Sequence, residues 1–241
     1  MQLFIEETYD DMSRRAADII AAQVIVDPAS TLGLATGSTP IGLYADLVED
    51  FEADRISFEG VTTFNLDEYR GLDPEHEQSY RYFMQKNLFN HVDVCPEATH
   101  VPDGSNPDAE AACADYEEAI AEAGGIDLQL LGLGHNGHIG FNEPCDEFPV
   151  RTHVVGLAES TINANSRLFA SSDDVPREAY TMGIGTIMKA RAILVVASGS
   201  DKAQIVHDAF FGPVTPRVPA SVLQLHPNVT VVVDAEAGSL L

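Results

Sequence analysis

Short apolar runs alternate with longer amphipathic stretches along the whole chain, and this alternation constrains the fold more than any other feature. The strand-like runs are 31–37, 61–67, 126–134, 152–157, 192–199 and 229–234. The stretches with helical spacing are 7–26, 39–53, 79–91, 107–123, 161–169 and 200–211. Parallel strands need helical crossovers that cover the sheet. The pattern therefore predicts an α/β fold: a single Rossmann-like, doubly wound domain over residues 1–241, with a mostly parallel sheet and helices on both faces.

Functional residues in such a fold are expected at the carboxyl ends of the strands, where an open sheet leaves a crevice. Three polar segments follow strand candidates: ATGSTP (35–40), NLDEY (65–69) and GHNGHIGFNEP (134–144). The loops 68–78 and 135–150 are longer than the roughly two to six residues usual in such units. We therefore expect the three segments to meet in one cleft.

The charge of the chain excludes two classes of partner. Asp and Glu number 38 against 13 Lys and Arg, which gives a formal net charge of −25, while 45% of the residues are hydrophobic. That apolar content is enough for a packed core, so the acidic residues belong to the surface. A polyanion repels nucleic acids and anionic membranes, so neither is an expected partner. A small anionic ligand requires a local exception.

The same charge bears on the environment in which the protein works. Only three of the cations are lysines. Such a composition is typical of cytosolic proteins from high-salt organisms, because molar salt screens the self-repulsion of a polyanion. The alternative is an ordinary acidic enzyme in dilute buffer.

Cysteine usage and hydropathy favour a soluble, cytoplasmic protein. Cys95, Cys113 and Cys145 are an odd set without CxxC spacing, which indicates neither a disulfide framework nor a Cys-rich zinc site. The first residues have no signal-peptide pattern, and the apolar run 192–197 is far shorter than the roughly 20 residues of a membrane span.

The segment ATGSTP has the composition of a phosphate cradle. Gly37 permits a tight turn, and Pro40 suits the first turn of the following helix. The hydroxyls of Thr36, Ser38 and Thr39, together with the amides of a helix N-terminus, suit a phosphate group. The alternative is a helix N-cap with no ligand. No GK[ST] follows, so the segment is not a Walker A loop.

Two cations are candidates to bind the same phosphate. Arg167 lies in the helical stretch NANSRLF (163–169), and Lys202 lies in GSDKA (199–203), at the start of a predicted helix. The helix dipole disfavours a cation in a first turn, so an anionic ligand would explain its presence. The alternative for each residue is a surface ion pair.

Candidates for proton transfer follow two of the strands. His138 lies in a glycine-rich loop, and an imidazole titrates near neutral pH. Glu143 is close enough in sequence to fix the tautomer of His138. Asp67 follows an apolar strand, where partial desolvation makes a carboxylate a stronger base. The alternatives are a hydrogen-bonded loop histidine and a solvated strand end.

Cofactor and metal patterns are weak. Gly132, Gly134 and Gly137 match GxGxxG, but the residues HIGFNEP that follow do not suit the helix that a dinucleotide site needs. His135 and His138 match no common zinc spacing. We therefore expect neither a nucleotide cofactor nor a metal.

Together, several segments resemble the glucosamine-6-phosphate deaminase family, in the same order over nearly the whole chain: GLATGSTP, TFNLDEY, LGLGHNGHIGFNEP, NSRLF, GSDKA and LQLHPN. The related 6-phosphogluconolactonases share the fold and a Gly-His turn but lack the FNEP continuation found at 141–144. The resemblance implies a metal-free, cofactor-free conversion of an amino sugar phosphate, glucosamine 6-phosphate, into fructose 6-phosphate and ammonia, as in amino-sugar catabolism.

The resemblance also implies roles for individual residues. His138 would open the sugar ring, assisted by Glu143 and Asn136, and Asp67 would move the C2 proton. Asn136 stands where many members of the family carry Asp, so we expect it to orient His138 through hydrogen bonds. The positions that would hold the substrate phosphate are Thr36, Gly37, Ser38, Thr39, Arg167 and Lys202.

One departure concerns regulation. Members that respond to N-acetylglucosamine 6-phosphate carry basic residues after the NEP motif and a longer C-terminus. Here His153 and Val155 stand where cations are expected, and the chain stops at Leu241. We therefore expect no such activation, and a monomer or small homo-oligomer rather than a hexamer.

Two alternative functions remain open on the sequence. One is a 6-phosphogluconolactonase-like hydrolase, which would use His138 to activate water and would not need Asp67. The other is a non-catalytic regulator that binds sugar phosphates, which would need only the phosphate cradle.

Overall fold

The computed structural model describes residues 1–157 and 175–241. The strands of this part are β1 (Gln2–Glu6), β2 (Thr31–Leu34), β3 (Thr62–Asn65), β4 (Asp67–Tyr69), β5 (Thr99–His100), β6 (Leu128–Gly132), β7 (His153–Gly156), β8 (Glu178–Thr181), β9 (Ala192–Ala197) and β10 (Val229–Asp234). The helices are α1 (Tyr9–Val26), α2 (Ile41–Glu52), α3 (Tyr80–Asn87), α4 (Ala109–Glu122), α5 (Ile184–Ile187) and α6 (Ala203–Phe211).

In this part of the chain, seven strands form one sheet in the order β1-β10-β9-β6-β2-β3-β5, and every neighbouring pair is parallel. Helices pack around the sheet, so the predicted α/β class is confirmed. From the centre, the chain proceeds outward through β3 and β5 on one side and through β9 and β10 on the other. Strand order therefore reverses between β2 and β6, and a crevice opens above such a reversal.

Apolar periodicity explains why these elements form. β2 is buried along its whole length, as expected of a strand covered on both faces. Along α1, buried residues recur every four positions, and the Thr8 side chain caps the helix by accepting a hydrogen bond from the Asp11 amide. The buried face of α1 packs against α2 and β10.

A second, antiparallel sheet of β4, β8 and β7 lies in the same described ranges. The prediction of one strand over 61–67 is wrong, because the chain changes sheets at Leu66 and forms β3 and β4 instead. The Leu66 amide donates to the Leu34 carbonyl of the main sheet, whereas its carbonyl accepts from the Met182 amide beside β8. The strand predicted at 152–157 likewise belongs to the small sheet.

Other differences are local. Sequence patterns did not predict β1, β5, β8 or α5. The helix predicted over 79–91 ends at Asn87, and the one predicted over 200–211 begins as a 3₁₀ turn, Ser200–Lys202, before α6. The helix predicted over 161–169 lies outside the described residues. Among the described helices, none has the length and apolar content needed to cross a membrane.

Candidate active site

A cleft of about 260 Å³ lies at the carboxyl ends of four adjacent strands, β9, β6, β2 and β3. The three polar segments expected to share one site all contribute to it. The residues predicted from sequence that line it are Thr36, Gly37, Ser38, Thr39, Asp67, His138 and Lys202. Strand order brings these residues together although they are spread over about two thirds of the chain.

The loop between β2 and α2 forms one end of the cleft. Gly37 has a φ of +97°, which favours glycine. The cap residue of α2 is Pro40, whose own side chain makes no capping hydrogen bond. The alternative of a simple N-cap is therefore wrong. No residue of the described part forms a hydrogen bond with the hydroxyls of Thr36, Ser38 and Thr39.

Tyr9, at the start of α1, anchors this loop from below. Its phenol oxygen accepts a hydrogen bond from the Gly42 amide at 2.9 Å and donates to the Thr39 carbonyl at 3.0 Å. Gly42 is in the first turn of α2, so one phenol fixes the loop to the helix that follows it. No local sequence pattern points to Tyr9, because this residue lies about 30 positions before the loop.

Lys202 brings a cation to the cleft from the segment after β9. Its ammonium donates to the Leu133 carbonyl at 2.9 Å and lies 3.3 Å from His135 Nδ1. Burial lowers the pKa of Lys202. No described carboxylate forms an ion pair with its ammonium, so a surface ion pair does not account for this residue. Arg167, the other predicted cation, lies outside the described residues.

The His138 imidazole lies further along the cleft and is held from behind by two side chains. Its Nδ1 is 2.8 Å from Asn136 Oδ1 and 3.3 Å from Glu143 Oε1. Asn136 Nδ2 donates to Glu143 Oε2 at 2.6 Å, which directs Asn136 Oδ1 toward the imidazole. With two oxygens facing Nδ1, the proton of a neutral imidazole lies on Nδ1, and Nε2 is left as the proton acceptor.

Glu143 and Asn136 therefore act behind the imidazole and are not among the residues that line the cleft. The hydrogen bond with His138 lowers the pKa of Glu143 below its usual range, against the opposing effect of partial burial. The carboxylate thus stays ionised beside the ring. This geometry agrees with the expectation that Asn136 orients His138 through hydrogen bonds.

Glycine at position 134 makes room for the imidazole. A Cβ on Gly134 would lie 2.3 Å from His138 Nε2 and Cε1, closer than real Cβ contacts come. The Gly134 amide also donates to the His138 carbonyl at 2.9 Å. The glycine spacing that matches a dinucleotide motif therefore serves to close a tight loop around an imidazole.

Asp67 is the buried carboxylate of the cleft, with 7% of its surface exposed. Burial, followed by the charge of Glu68, raises its pKa to about 8. No described residue donates a hydrogen bond to its carboxylate. The solvated strand end considered from the sequence is therefore wrong, and the cleft contains a buried carboxylate of near-neutral pKa.

Glu68 points away from the cleft and holds the start of α3. Its carboxylate accepts hydrogen bonds from the amides of Tyr69, Tyr80 and Arg81, at 2.8 to 3.0 Å. Burial raises the pKa of Glu68, whereas these three amides favour its ionised form. A carboxylate is thus fixed next to Asp67 in the chain.

Aromatic side chains form a wall of the cleft that sequence reasoning missed. Tyr80 and Phe141 both line the cleft, and their rings stack with centroids 6.1 Å apart. Tyr69 packs against Tyr80 with a centroid distance of 4.9 Å. Phe141 belongs to the FNEP segment, but no local pattern indicates that it meets α3.

Metal binding has no support from the described side chains. Across residues 1–157 and 175–241, no group of three His, Cys, Asp or Glu side chains is placed to hold a metal ion. His135 Nε2 instead lies 2.5 Å from Asp201 Oδ2.

Comparison with known proteins gives consistent matches over the whole chain. Residues 4–232 match the protein family described as glucosamine-6-phosphate isomerases/6-phosphogluconolactonase. The chain is 56% identical over 241 residues to the glucosamine-6-phosphate deaminase of Halothermothrix orenii, covering all of both chains. It is 53% identical over 241 residues to that of Clostridioides difficile, covering all of this chain and 97% of the relative.

Solved structures agree with these matches. A monomeric glucosamine-6-phosphate deaminase superposes with a TM-score of 0.95 at 45% identity, covering 100% of both chains. The 6-phosphogluconolactonase of Trypanosoma brucei has a TM-score of 0.77 at 20% identity, covering 100% of this chain and 98% of the other. At that identity the second likeness concerns the fold alone.

Proposed function

The chain belongs to the family of glucosamine-6-phosphate isomerases and 6-phosphogluconolactonases, and from this premise we propose that it is a glucosamine-6-phosphate deaminase. It converts glucosamine 6-phosphate and water into fructose 6-phosphate and ammonia. The observation that carries the proposal is the pairing, in one cleft, of the buried carboxylate of Asp67 with the His138 imidazole, whose Nε2 is free to accept a proton.

The loop after β2 binds the substrate phosphate. The hydroxyls of Thr36, Ser38 and Thr39 and the amides near Gly37 donate to it, and the Lys202 ammonium supplies a positive charge. Arg167 is proposed as a second cation on the strength of the family resemblance. The phosphate is remote from the reacting carbons, so its binding energy orients C1 and C2 toward Asp67 and His138.

His138 opens the pyranose ring. Its Nε2 takes the proton of the C1 hydroxyl and delivers it to the ring oxygen, while the C1–O5 bond breaks and C1 becomes an aldehyde. The positive charge that passes through the imidazole is stabilised by Glu143, which stays ionised. Asn136 keeps the ring in the tautomer that leaves Nε2 unprotonated.

Asp67 then carries out the isomerisation. Its carboxylate takes the C2 proton, and the electron pair forms a C1=C2 double bond as O1 accepts a proton. Return of a proton to C1 gives an imine at C2. Water adds to that carbon and ammonia leaves, which yields the ketone of fructose 6-phosphate. The raised pKa of Asp67 suits a group that must take a carbon-bound proton and give it back.

The two alternative functions differ from the deaminase in their need for Asp67. A 6-phosphogluconolactonase uses only an activated water, and a sugar-phosphate-binding regulator needs only the loop after β2. Neither accounts for a buried carboxylate of raised pKa without a described hydrogen-bond donor. The relatives above 50% identity are glucosamine-6-phosphate deaminases, whereas the lactonases are distant.

The test measures ammonia and fructose 6-phosphate released from glucosamine 6-phosphate, with chelator present, in low salt and in molar KCl. Equal amounts of both products support the proposal. Asp67→Asn should reduce turnover by about 10³-fold or more and leave inorganic phosphate binding in place. Hydrolysis of 6-phosphogluconolactone without release of ammonia would assign the lactonase activity instead.

The setting of the enzyme is proposed on the same basis. We place it in the cytoplasm, as a monomer or small homo-oligomer with one domain over residues 1–241. It acts in amino-sugar catabolism downstream of N-acetylglucosamine degradation, without nucleic-acid, membrane or cofactor partners and without activation by N-acetylglucosamine 6-phosphate. Its net charge of −25 supports a high-salt environment.

A further inference from the structure

We propose that His135 is a positioning residue for the phosphate end of the cleft. Its imidazole engages the Asp201 carboxylate and thereby leaves the Lys202 ammonium free for the substrate phosphate. The inference rests on the proposed function and deepens it, because it gives a role to a side chain that lines the cleft and takes no part in the chemistry above.

The contacts of His135 determine its tautomer. An ammonium has donors and no acceptor, so the 3.3 Å contact between Lys202 Nζ and His135 Nδ1 requires a lone pair on Nδ1. The proton of the neutral ring then lies on Nε2, which donates to Asp201 Oδ2 at 2.5 Å. The imidazole is therefore inserted between a carboxylate and an ammonium and satisfies both.

This arrangement keeps Asp201 from pairing with Lys202. Asp201 and Lys202 are adjacent in one 3₁₀ turn, Ser200–Lys202, and each acts electrostatically on the other. Without the imidazole, the carboxylate would be free to pair with the ammonium. Among the described residues that line the cleft, Lys202 is the only lysine or arginine. Its neutralisation would leave hydroxyls and amides alone to bind a phosphate dianion.

The Lys202 ammonium has three N–H donors, and two of them are already bonded. One N–H goes to the Leu133 carbonyl and a second to His135 Nδ1. The third is left for the ligand. Two fixed bonds hold the half-buried ammonium at the end of β6, in the cleft that residues 36–39 also line, so the ammonium is already in place when phosphate binds.

The experiment compares equilibrium binding of inorganic phosphate, measured by calorimetry, with steady-state kinetics on glucosamine 6-phosphate. His135→Ala should raise the phosphate Kd and the substrate KM together, by about three- to tenfold, with a much smaller effect on kcat. The double variant His135→Ala/Asp201→Asn should recover most of the loss, because the competing carboxylate is gone. A His135 that merely supports the fold would not be rescued in this way.

His207→Ala is the matched control. His207 is also a histidine next to an aspartate, with Nδ1 3.3 Å from Asp208 Oδ1. Its side chain is 45% exposed against 70% for His135, and it lies on α6 outside the cleft lining. It should leave the phosphate Kd unchanged. A His135→Ala protein with wild-type phosphate affinity, or one that Asp201→Asn fails to rescue, would overturn the inference.

The two proposals fail separately in this experiment. If the wild-type protein deaminates its substrate and His135→Ala binds phosphate as tightly, only the role of His135 is lost. If phosphate binds and the double variant is rescued, but no ammonia is released, the role of His135 stands and the deaminase proposal is lost.

Discussion

At the scale of single residues, the site depends on a glycine as much as on its polar side chains. The imidazole of His138 occupies the space where a Cβ on Gly134 would lie, 2.3 Å from Nε2. Glycine is needed there for close approach, not for an unusual backbone angle. The position of the His138 imidazole therefore requires that residue 134 has no side chain.

Gly134→Ala should displace the imidazole and lower kcat/KM by about 100-fold, since a misplacement of about 1 Å at a catalytic group has effects of that order. Circular dichroism and the melting temperature should show that the fold is retained. Gly156→Ala is the control, because a Cβ there meets no atom of residues 1–157 or 175–241 within 4 Å. Wild-type activity in Gly134→Ala would contradict the role given to His138.

The raised pKa of Asp67 makes a prediction about pH dependence. The carboxylate must be ionised to accept the C2 proton, so kcat/KM should increase with pH through the pKa of about 8. Glu68→Gln removes a neighbouring negative charge and keeps one oxygen, which can accept the hydrogen bonds from the Tyr69 and Tyr80 amides, whereas the bond from the Arg81 amide is lost. It should move this acidic limb to lower pH by about half a unit to one unit.

The pH–rate profile of kcat/KM, recorded for wild type, Glu68→Gln and Glu75→Gln, tests this. Glu75 is exposed and serves as the control for loss of one acidic side chain. An acidic limb near pH 4 in the wild type, or a shift to higher pH in Glu68→Gln, would show that burial does not set the basicity of Asp67.

The same burial should cost stability. The folded pKa of about 8 lies above the unfolded value near 3.9, so the folded protein holds this proton more tightly. This contribution to stability is fully present below the unfolded pKa and is lost as pH rises through the folded pKa. Asp67→Asn should therefore be more stable than wild type at pH 8, by on the order of 1–3 kcal/mol, with a smaller difference at pH 5. Urea denaturation at both pH values measures this.

At the scale of elements, the loop 36–39, which we propose binds the substrate phosphate, is held in place by contacts from outside its own segment. No side chain of the loop itself caps the start of α2, and the loop hydroxyls are left for a ligand. The Tyr9 phenol, from α1, supplies the bonds that a cap would otherwise make to this region. An element far away in sequence thus sets the geometry of the loop.

Tyr9→Phe should leave the Gly42 amide without its described acceptor and loosen the loop. We expect the KM for glucosamine 6-phosphate to rise about fivefold, the effect of losing one hydrogen bond of about 1 kcal/mol, with a smaller change in kcat. Tyr82→Phe, on α3, is the control for loss of a phenol oxygen. Equal KM values in the two variants would argue against this role for Tyr9.

The change of sheet at Leu66 has a comparable effect on Asp67, the proposed base. Its amide belongs to the main sheet and its carbonyl to the small one. Asp67 follows directly, paired with Thr181 of β8, and is buried because two sheets meet around it. A continuous strand would have ended in solvent, so the junction is what raises the pKa of Asp67.

At the scale of the whole molecule, charge is the dominant feature. A net charge of −25 on 241 residues produces repulsion that compactness increases. Many of the ion pairs that offset it are exposed and contribute little in water. Stability should therefore depend on the ions in solution.

The melting temperature should rise steadily from salt-free buffer to about 3 M KCl, where the Debye length falls below roughly 3 Å, and activity should rise with it. The effect should be largest between salt-free buffer and about 0.5 M, where screening changes most. Differential scanning calorimetry across the series measures it. Unchanged melting and full activity in salt-free buffer would mean that the acidic surface is not an adaptation to salt.

Much of the architecture followed from sequence because its signals are local. Apolar runs such as 192–199 and 229–234 are too hydrophobic for anything but buried strands, and the regular spacing in α1 predicts one buried face. The −25 charge likewise needs only counting. The motif residues around His138 lie within ten positions of one another in sequence. Their contacts could therefore be predicted from their spacing.

The tertiary structure alone decided what depends on contacts between distant segments. Periodicity could not show that the chain changes sheets within 61–67, because no Gly or Pro separates β3 from β4. Nor could it show that Tyr9 bonds to the loop 36–39 or that Tyr80 stacks on Phe141. The pKa of Asp67 and the position of His135 between Asp201 and Lys202 arise from burial and distance, which strand order determines and residue type does not.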